Sequence, residues 1–208
     1  MARNHDPLTF PTPRGEARLA VDLSAGPTNG TALLFHGAGG GMDAPVLVAV
    51  RDVLVDIGWT VARLEQPYRV AGRRAPAPAH HLDEVALLAV DRVRTGAPLL
   101  LGGKSSGARV ACRIATAAGA AGVVAFGFPL HPPGRPEKSR AAELLGAGVP
   151  VHVIQGTRDA FGTAADLDAI HDDVYAVEGA DHALRTKAYV AEVARETARW
   201  VAALQAST

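Results

Sequence analysis

Two hydrophobic rhythms alternate along the chain. Continuous apolar runs occur at "TALLFHG" (31–37), "APLLLGG" (97–103), "AGVVAFGFP" (121–129) and "VPVHVIQG" (149–156). A less pure run is "WTVARLEQP" (59–67), and a last short one is "DVYAVEGA" (173–180). Unbroken runs of this kind fit strands buried on both faces by helices. "EARLAVDLS" (16–24) alternates instead and reads as an antiparallel strand at the sheet edge. Between the runs, apolar residues recur at helical spacing. From Asp43 the stripe is Val46, Val50, Val53, Leu54 and Ile57; around 80–95 it is Leu82, Val85, Ala89 and Val93. The last helix carries Val190, Val193, Ala194, Thr197, Val201 and Leu204. Strand and helix in repeated alternation predict the α/β class, with a doubly wound, mostly parallel sheet flanked by helices. No internal repeat appears, and the Pro/Gly-rich stretches at 66–79 and 127–138 fall between elements, so a single domain over residues 1–208 is expected. In such sheets, sites lie in the loops at the carboxyl ends of the strands.

Composition narrows the class. The 208 residues are 48% hydrophobic and 20% charged, enough for a sizeable core. Twenty-one basic and twenty-one acidic side chains cancel, which gives no basic surface for nucleic acid. The single cysteine, Cys112, excludes an internal disulfide framework and a Cys-based zinc cluster and fits a reduced compartment. "MARNHDPLTFPTPRGEARL" has no apolar core of a signal peptide, and no apolar run approaches the ~18 residues of a membrane span. A cytoplasmic protein without a membrane partner is the expectation.

"LLLGGKSSGARVAC" (99–112) contains two signatures at once. "GKS" is the tail of a phosphate-binding loop, and "GKSSG" is a G-x-S-x-G turn. A phosphate loop would need its first glycine at position 98, which is Pro98, and residues 98–101 are strand, unable to wrap phosphates with free N–H groups. The G-x-S-x-G turn fits: it follows a strand and opens a helix, and Gly103 and Gly107 supply the small neighbours that a strained nucleophile elbow demands. Ser105 would then stand at a helix N-terminus, where developing negative charge is favoured. Ser106, with Lys104 two positions before it, lacks such flanks and would give its backbone N–H to the oxyanion.

An elbow needs an acid and a base, expected in the order Ser, Asp or Glu, His. "TRDAFG" puts Asp159 past one strand and "GADHAL" puts His182 past the next. His182 would take the Ser105 proton, and Asp159 would orient the imidazole. Asp181 reads as turn chemistry, and Asp166 and Asp168 as surface positions of a helix. "FHGAGGGMDAP" (35–45) would supply the second oxyanion donor, the N–H of Ala38 or of Gly39, with His36 bracing the loop.

"HGAGGGMDAP", "GGKSSGARVA", "FPLHPPGRPEK", "QGTRDAFG" and "GADHAL" together resemble the α/β-hydrolase superfamily. More narrowly they resemble a small dienelactone-hydrolase-like family, which includes a testis-expressed hydrolase-like protein and the hydrolase-like domain of a chromatin-complex subunit. The resemblance runs from about residue 16 to 204, and "FPLHPPGRPEK" is its most family-specific segment. It implies Ser105 as nucleophile, Asp159 as acid and His182 as base. True dienelactone hydrolases carry a cysteine nucleophile, from which this chain departs.

Other polar groups carry less chemistry. "AHHLDE" (79–84) lacks an HExxH pattern and reads as a solvated helix start, so no metal is expected. His131 either lines the pocket or is exposed in a rigid proline turn. Arg69, Arg73 and Arg74 either greet an anionic substrate or form a solvated loop. His5, His152 and His171 have no site logic, and Cys112 reads as a small core residue. The loop at 127–140 is too short for a lipase-like lid. The expectation is a serine hydrolase, a carboxylesterase, that cleaves an ester or related acyl bond of a small soluble substrate through an acyl-serine, with no cofactor. Two alternatives are a non-catalytic protein-interaction module on the same fold and a thioesterase or peptidase using the same triad.

Overall fold

The computed structural model describes residues 6–206. Eight strands form one sheet in the order β1-β2-β4-β3-β5-β6-β7-β8. They are β1 (Leu8–Thr12), β2 (Gly15–Asp22), β3 (Gly30–Phe35), β4 (Trp59–Glu65), β5 (Leu99–Lys104), β6 (Gly122–Phe126), β7 (Val151–Gly156) and β8 (Val174–Val177). The helices are α1 (Pro45–Asp56), α2 (Pro67–Val70), α3 (Ala79–Val93), α4 (Ser106–Ala118), α5 (Ala141–Leu145), α6 (Ala164–Asp168) and α7 (Lys187–Ala206). From β4 to β8 every pairing is parallel; β1 and β2 are antiparallel additions. Among the described residues no helix is long and apolar enough to cross a membrane.

The alternating strand is not the edge. β2 pairs with β4 on one side and with β1 on the other, so β1 is the outer strand. Residues 8–12, "LTFPT", lack the long apolar run that marks the inner strands: only Phe10 is buried among them. Pro11 is tolerated there because an edge strand leaves one row of N–H groups unpaired.

The continuous apolar runs are explained by burial on both faces. In β3, Leu33 and Phe35 pack toward α3 and α4, while Ala32 and Leu34 pack toward α1 and α7. The helical stripes behave as their spacing requires. Val46, Val50 and Leu54 of α1 are buried, as are Leu82, Val85, Ala89 and Val93 of α3 and Val193, Ala194, Thr197 and Val201 of α7. Cys112 is a buried core residue of α4, and burial pushes its thiol up to about 12.

The chain leaves β3 through α1 to β4 on one side, then returns through α3 to β5 on the other. The strand order therefore reverses between β3 and β5. In an open α/β sheet this reversal opens a crevice at the carboxyl ends of the two strands. The glycine-rich loop after β3 and the G-x-S-x-G turn after β5 both lie there.

Candidate active site

Ser105 links β5 to α4 with φ 54° and ψ −113°, a conformation that L-residues rarely adopt. Its N–H donates to the Phe126 carbonyl at 3.0 Å, which ties the turn to the end of β6. The two glycines are required by close approach. A Cβ on Gly103 would strike the backbone of Gly107, and one on Gly107 would strike the carbonyls of Phe35 and His36. The strained turn thus nests against β3.

Three side chains from separate loops converge. His182 Nε2 lies 2.8 Å from Ser105 Oγ, and His182 Nδ1 lies 2.7 Å from Asp159 Oδ2. Asp159 is 2% exposed and follows β7; His182 follows β8. The Asp159 carboxylate also accepts from the Phe161 N–H at 2.8 Å and from Gln155 Nε2 at 2.9 Å. These donors set its orientation. Phe161 stacks on the His182 ring with centroids 4.2 Å apart. As a unit the arrangement can carry a proton from Ser105 Oγ to an imidazole held in one tautomer.

The loop after β3 is anchored peptide by peptide. The Gly37 carbonyl accepts from His36 Nδ1 at 2.8 Å and from the Gly40 N–H at 3.0 Å. The Ala38 carbonyl accepts from the Tyr68 hydroxyl at 2.9 Å. A trans peptide points its N–H opposite to its C=O, so the first anchor sets the Ala38 N–H and the second the Gly39 N–H. Among the described residues, neither of these N–H groups, nor that of Ser106 at the start of α4, is spent on a protein carbonyl. His36 Nε2 accepts from the Gln66 N–H at 3.2 Å, which together with its Nδ1 bond requires the neutral ring. Burial lowers the pKa of His36 in the same sense, with Arg69 adding to the effect against the Gly37 hydrogen bond. Arg63, buried on β4, donates to the Met42 carbonyl at 3.0 Å and to Asp43 at 2.8 Å. This explains the arginine that interrupts the β4 apolar run: it pins the far end of the loop.

A cavity of about 890 Å³ opens over Ser105 and His182. Gly37–Val46, Glu65, Lys104, Phe161 and Asp181–Arg185 contribute to its walls. The candidate substrate contacts His131, Arg69 and Arg73 are not among them. His131 is turned aside, its N–H bonded to the Phe161 carbonyl and its ring Nδ1 to the Pro132 carbonyl, both at 3.0 Å. Arg69 donates to the Arg73 carbonyl at 3.0 Å, and Arg73 opens on a second cavity with Gln66 and His81. Arg74 is exposed and lines neither cavity. The basic groups of the α2 turn thus do not line the cavity over Ser105; Tyr68 is the member of that turn that bonds the loop after β3. The cations present at the cavity are Lys104, Arg158 and Arg185.

The remaining polar groups have structural employment. Asp181 accepts from the Ala183 N–H at 2.9 Å, and Asp166 forms a capping box with Thr163. Asp83 and Glu84 pair with Arg113 and Arg14. His152 bonds Asp173 and stacks on Trp200, and His171 bonds the Val151 carbonyl. His5 lies outside the described residues. Sequence reasoning missed Tyr68, Gln155, Phe161 and Lys104. The last three lie within or beside motifs already singled out, but nothing in their spacing announces a role.

An eight-stranded, mostly parallel sheet with a strained serine turn, an acid and a histidine at successive strand ends is the architecture of α/β hydrolases. The chain belongs to the alpha/beta hydrolase domain family, whose sequence profile matches residues 28–207. No curated protein matches it in sequence. Solved structures share the fold. An alpha-beta serine hydrolase homologue from Coxiella burnetii superposes with a TM-score of 0.77 at 16% identity, covering 97% of this chain and 99% of the other. An α/β serine hydrolase without lid from Xanthomonas campestris gives 0.71 at 22% identity, covering 97% and 96%. Est1E from Butyrivibrio proteoclasticus gives 0.77 at 12%, covering 96% and 99%.

Proposed function

We propose that this chain is a serine hydrolase, a carboxylesterase of the small dienelactone-hydrolase-like type, that cleaves an ester or related acyl bond through an acyl-serine. The observation that carries the proposal is the continuous hydrogen-bonded path from Ser105 Oγ through His182 to Asp159. As His182 Nε2 takes the hydroxyl proton, Ser105 Oγ attacks the acyl carbon, and the former carbonyl oxygen becomes an oxyanion. The N–H groups of Ser106 and Ala38, with Gly39 as the alternative to Ala38, receive that charge; fixed dipoles in place beforehand cost no reorganisation in the transition state. Imidazolium then protonates the departing alcohol. A water molecule, deprotonated by His182, releases the acid and restores Ser105.

Two features support a small soluble substrate. Between β6 and α5, residues 127–140 hold a single 3₁₀ turn, Pro136–Lys138, so no helix of this loop roofs the cavity. A fold neighbour is described as lacking a lid, in keeping with this. The test is hydrolysis of p-nitrophenyl acetate and butyrate beside the matched thioesters, by the protein and by Ser105→Ala. Turnover of the esters that Ser105→Ala loses supports the proposal; equal background rates for the two proteins contradict it, and faster thioester turnover would reassign the acyl bond.

A further inference from the structure

Lys104 ends β5 directly before Ser105 and is only 8% exposed. Lysine is rarely buried unless its charge is paired. Here, among the described residues, the ammonium meets no carboxylate at ion-pair distance and instead donates to the backbone carbonyl of His182 at 2.5 Å. Room for it is made by Gly127, at φ +57°, where a Cβ would lie 2.7 Å from Lys104 Nζ. The loop between β8 and α7 is thus held at three carbonyls. The Arg158 side chain holds Gly179, the Arg158 N–H holds Ala180, and Lys104 holds His182 itself. Only the last of these runs from the residue adjoining Ser105 to the residue that bonds its hydroxyl.

We propose that Lys104 is a positioning residue: by gripping the His182 carbonyl from the position next to Ser105, its ammonium sets the separation of imidazole and hydroxyl. This rests on the reading of Ser105 as a nucleophile activated by His182. A backbone grip is suited to the task because it fixes the main chain of His182, while the ring nitrogens and Phe161 hold the imidazole itself. The grip is also titratable. Burial pulls Lys104 down to about 8, against the attraction of Asp159 and Asp181 and with the help of Arg185. Glu65, Arg158 and His182 complete the charged and titratable groups that share its cavity with Asp43. A neutral amine is a weaker donor than ammonium, so the hold on His182 slackens as pH rises through that value.

The test uses the whole chain as wild type and Lys104→Met, with two readouts. One is the far-downfield proton NMR signal of His182 Nδ1–H in its bond to Asp159, identified by its loss in His182→Gln. The other is the rate of labelling by a fluorophosphonate from roughly pH 6 to pH 10. The wild-type signal and labelling rate should fall together with a midpoint near 8. Folded Lys104→Met should lose the signal to exchange, label about tenfold or more slowly at neutral pH, and show no alkaline decline. A folded variant that keeps the signal and labels within about twofold of wild type overturns the proposal. So does a wild-type signal unchanged through the alkaline range, an outcome that needs no variant to fold. A signal that Lys104→Met abolishes, in a wild type that takes no label, upholds the positioning role and removes the hydrolase reading instead.

Discussion

The Tyr68 hydroxyl donates to the carbonyl oxygen of Ala38 across 2.9 Å. Burial pushes this phenol up to about 12, so it remains a donor throughout the neutral range. Tyr68 and His36 between them hold two successive peptides of the loop that would receive the oxyanion. Tyr68→Phe frees one of these peptides without disturbing Ser105. The expected result is a fall in kcat of about tenfold, smaller than the 10²–10³ of a lost oxyanion donor, with little change in KM. Steady-state ester hydrolysis checks this, and a change confined to KM would mean that Tyr68 touches substrate rather than the loop.

Asp159 holds His182 Nδ1 and is itself held by Gln155 and the Phe161 N–H. Asp159→Asn preserves the size of the side chain but not its demand for a donor on Nδ1. The variant should fold, as judged by circular dichroism, and lose about 10⁴ in kcat. A folded Asp159→Asn protein with a near-normal rate would show that the acid lies elsewhere.

The inner strands and the serine turn were legible because each has a local cause. β3, β5, β6 and β7 are buried on both faces and so appear as apolar runs, and Gly103 and Gly107 are small because backbone passes against them. Asp159 and His182 were legible from strand ends and chain order. β1 was not, since its five residues bury only Phe10 and resemble a polar terminus. The arginines at 69–74 were left open between site and solvent for a different reason. A loop at the right end of the sheet allows proximity, but Arg69 bonds the Arg73 carbonyl and Arg73 lines the second cavity, while Tyr68 bonds the Ala38 carbonyl. The Lys104 grip joins residues 78 positions apart, through a backbone carbonyl that any residue type would carry.

Lys104 also makes stability depend on pH. Its unfolded value is 10.5 and its folded value about 8, so between these the unfolded chain holds more protons. Stability from this group therefore rises with pH across that window; below it both states are charged and the burial penalty is present in full. That penalty is on the order of 3 kcal/mol, partly offset by the charge-assisted hydrogen bond to His182, worth roughly 1.5–3 kcal/mol. Lys104→Met should accordingly melt a few degrees above wild type at pH 7, with the gap narrowing as pH climbs. Calorimetry at several pH values checks this; a gap that does not vary with pH would contradict the buried charge as its source.

Chain-length preference follows from the uncovered cavity. With no helical lid from residues 127–140, added methylenes gain little of the ~0.8 kcal/mol each that full burial would supply. kcat/KM across p-nitrophenyl esters should peak between acetyl and butyryl. Because neither Arg69 nor Arg73 lines the cavity over Ser105, replacing either with alanine should leave this profile and its salt dependence unchanged. A steady rise through decanoyl would reveal a long apolar channel and overturn the expectation.

The central claim is that Ser105 is a nucleophile activated by His182 and Asp159, and fluorophosphonate labelling with mass-spectrometric localisation tests it most directly. The expected result is one phosphonyl adduct, on the peptide that contains Ser105, lost in Ser105→Ala and strongly slowed in His182→Gln. Ser106→Ala keeps its backbone N–H and should still label. A wild-type protein that takes no adduct, or an adduct that survives Ser105→Ala and vanishes in Ser106→Ala, would contradict the assignment.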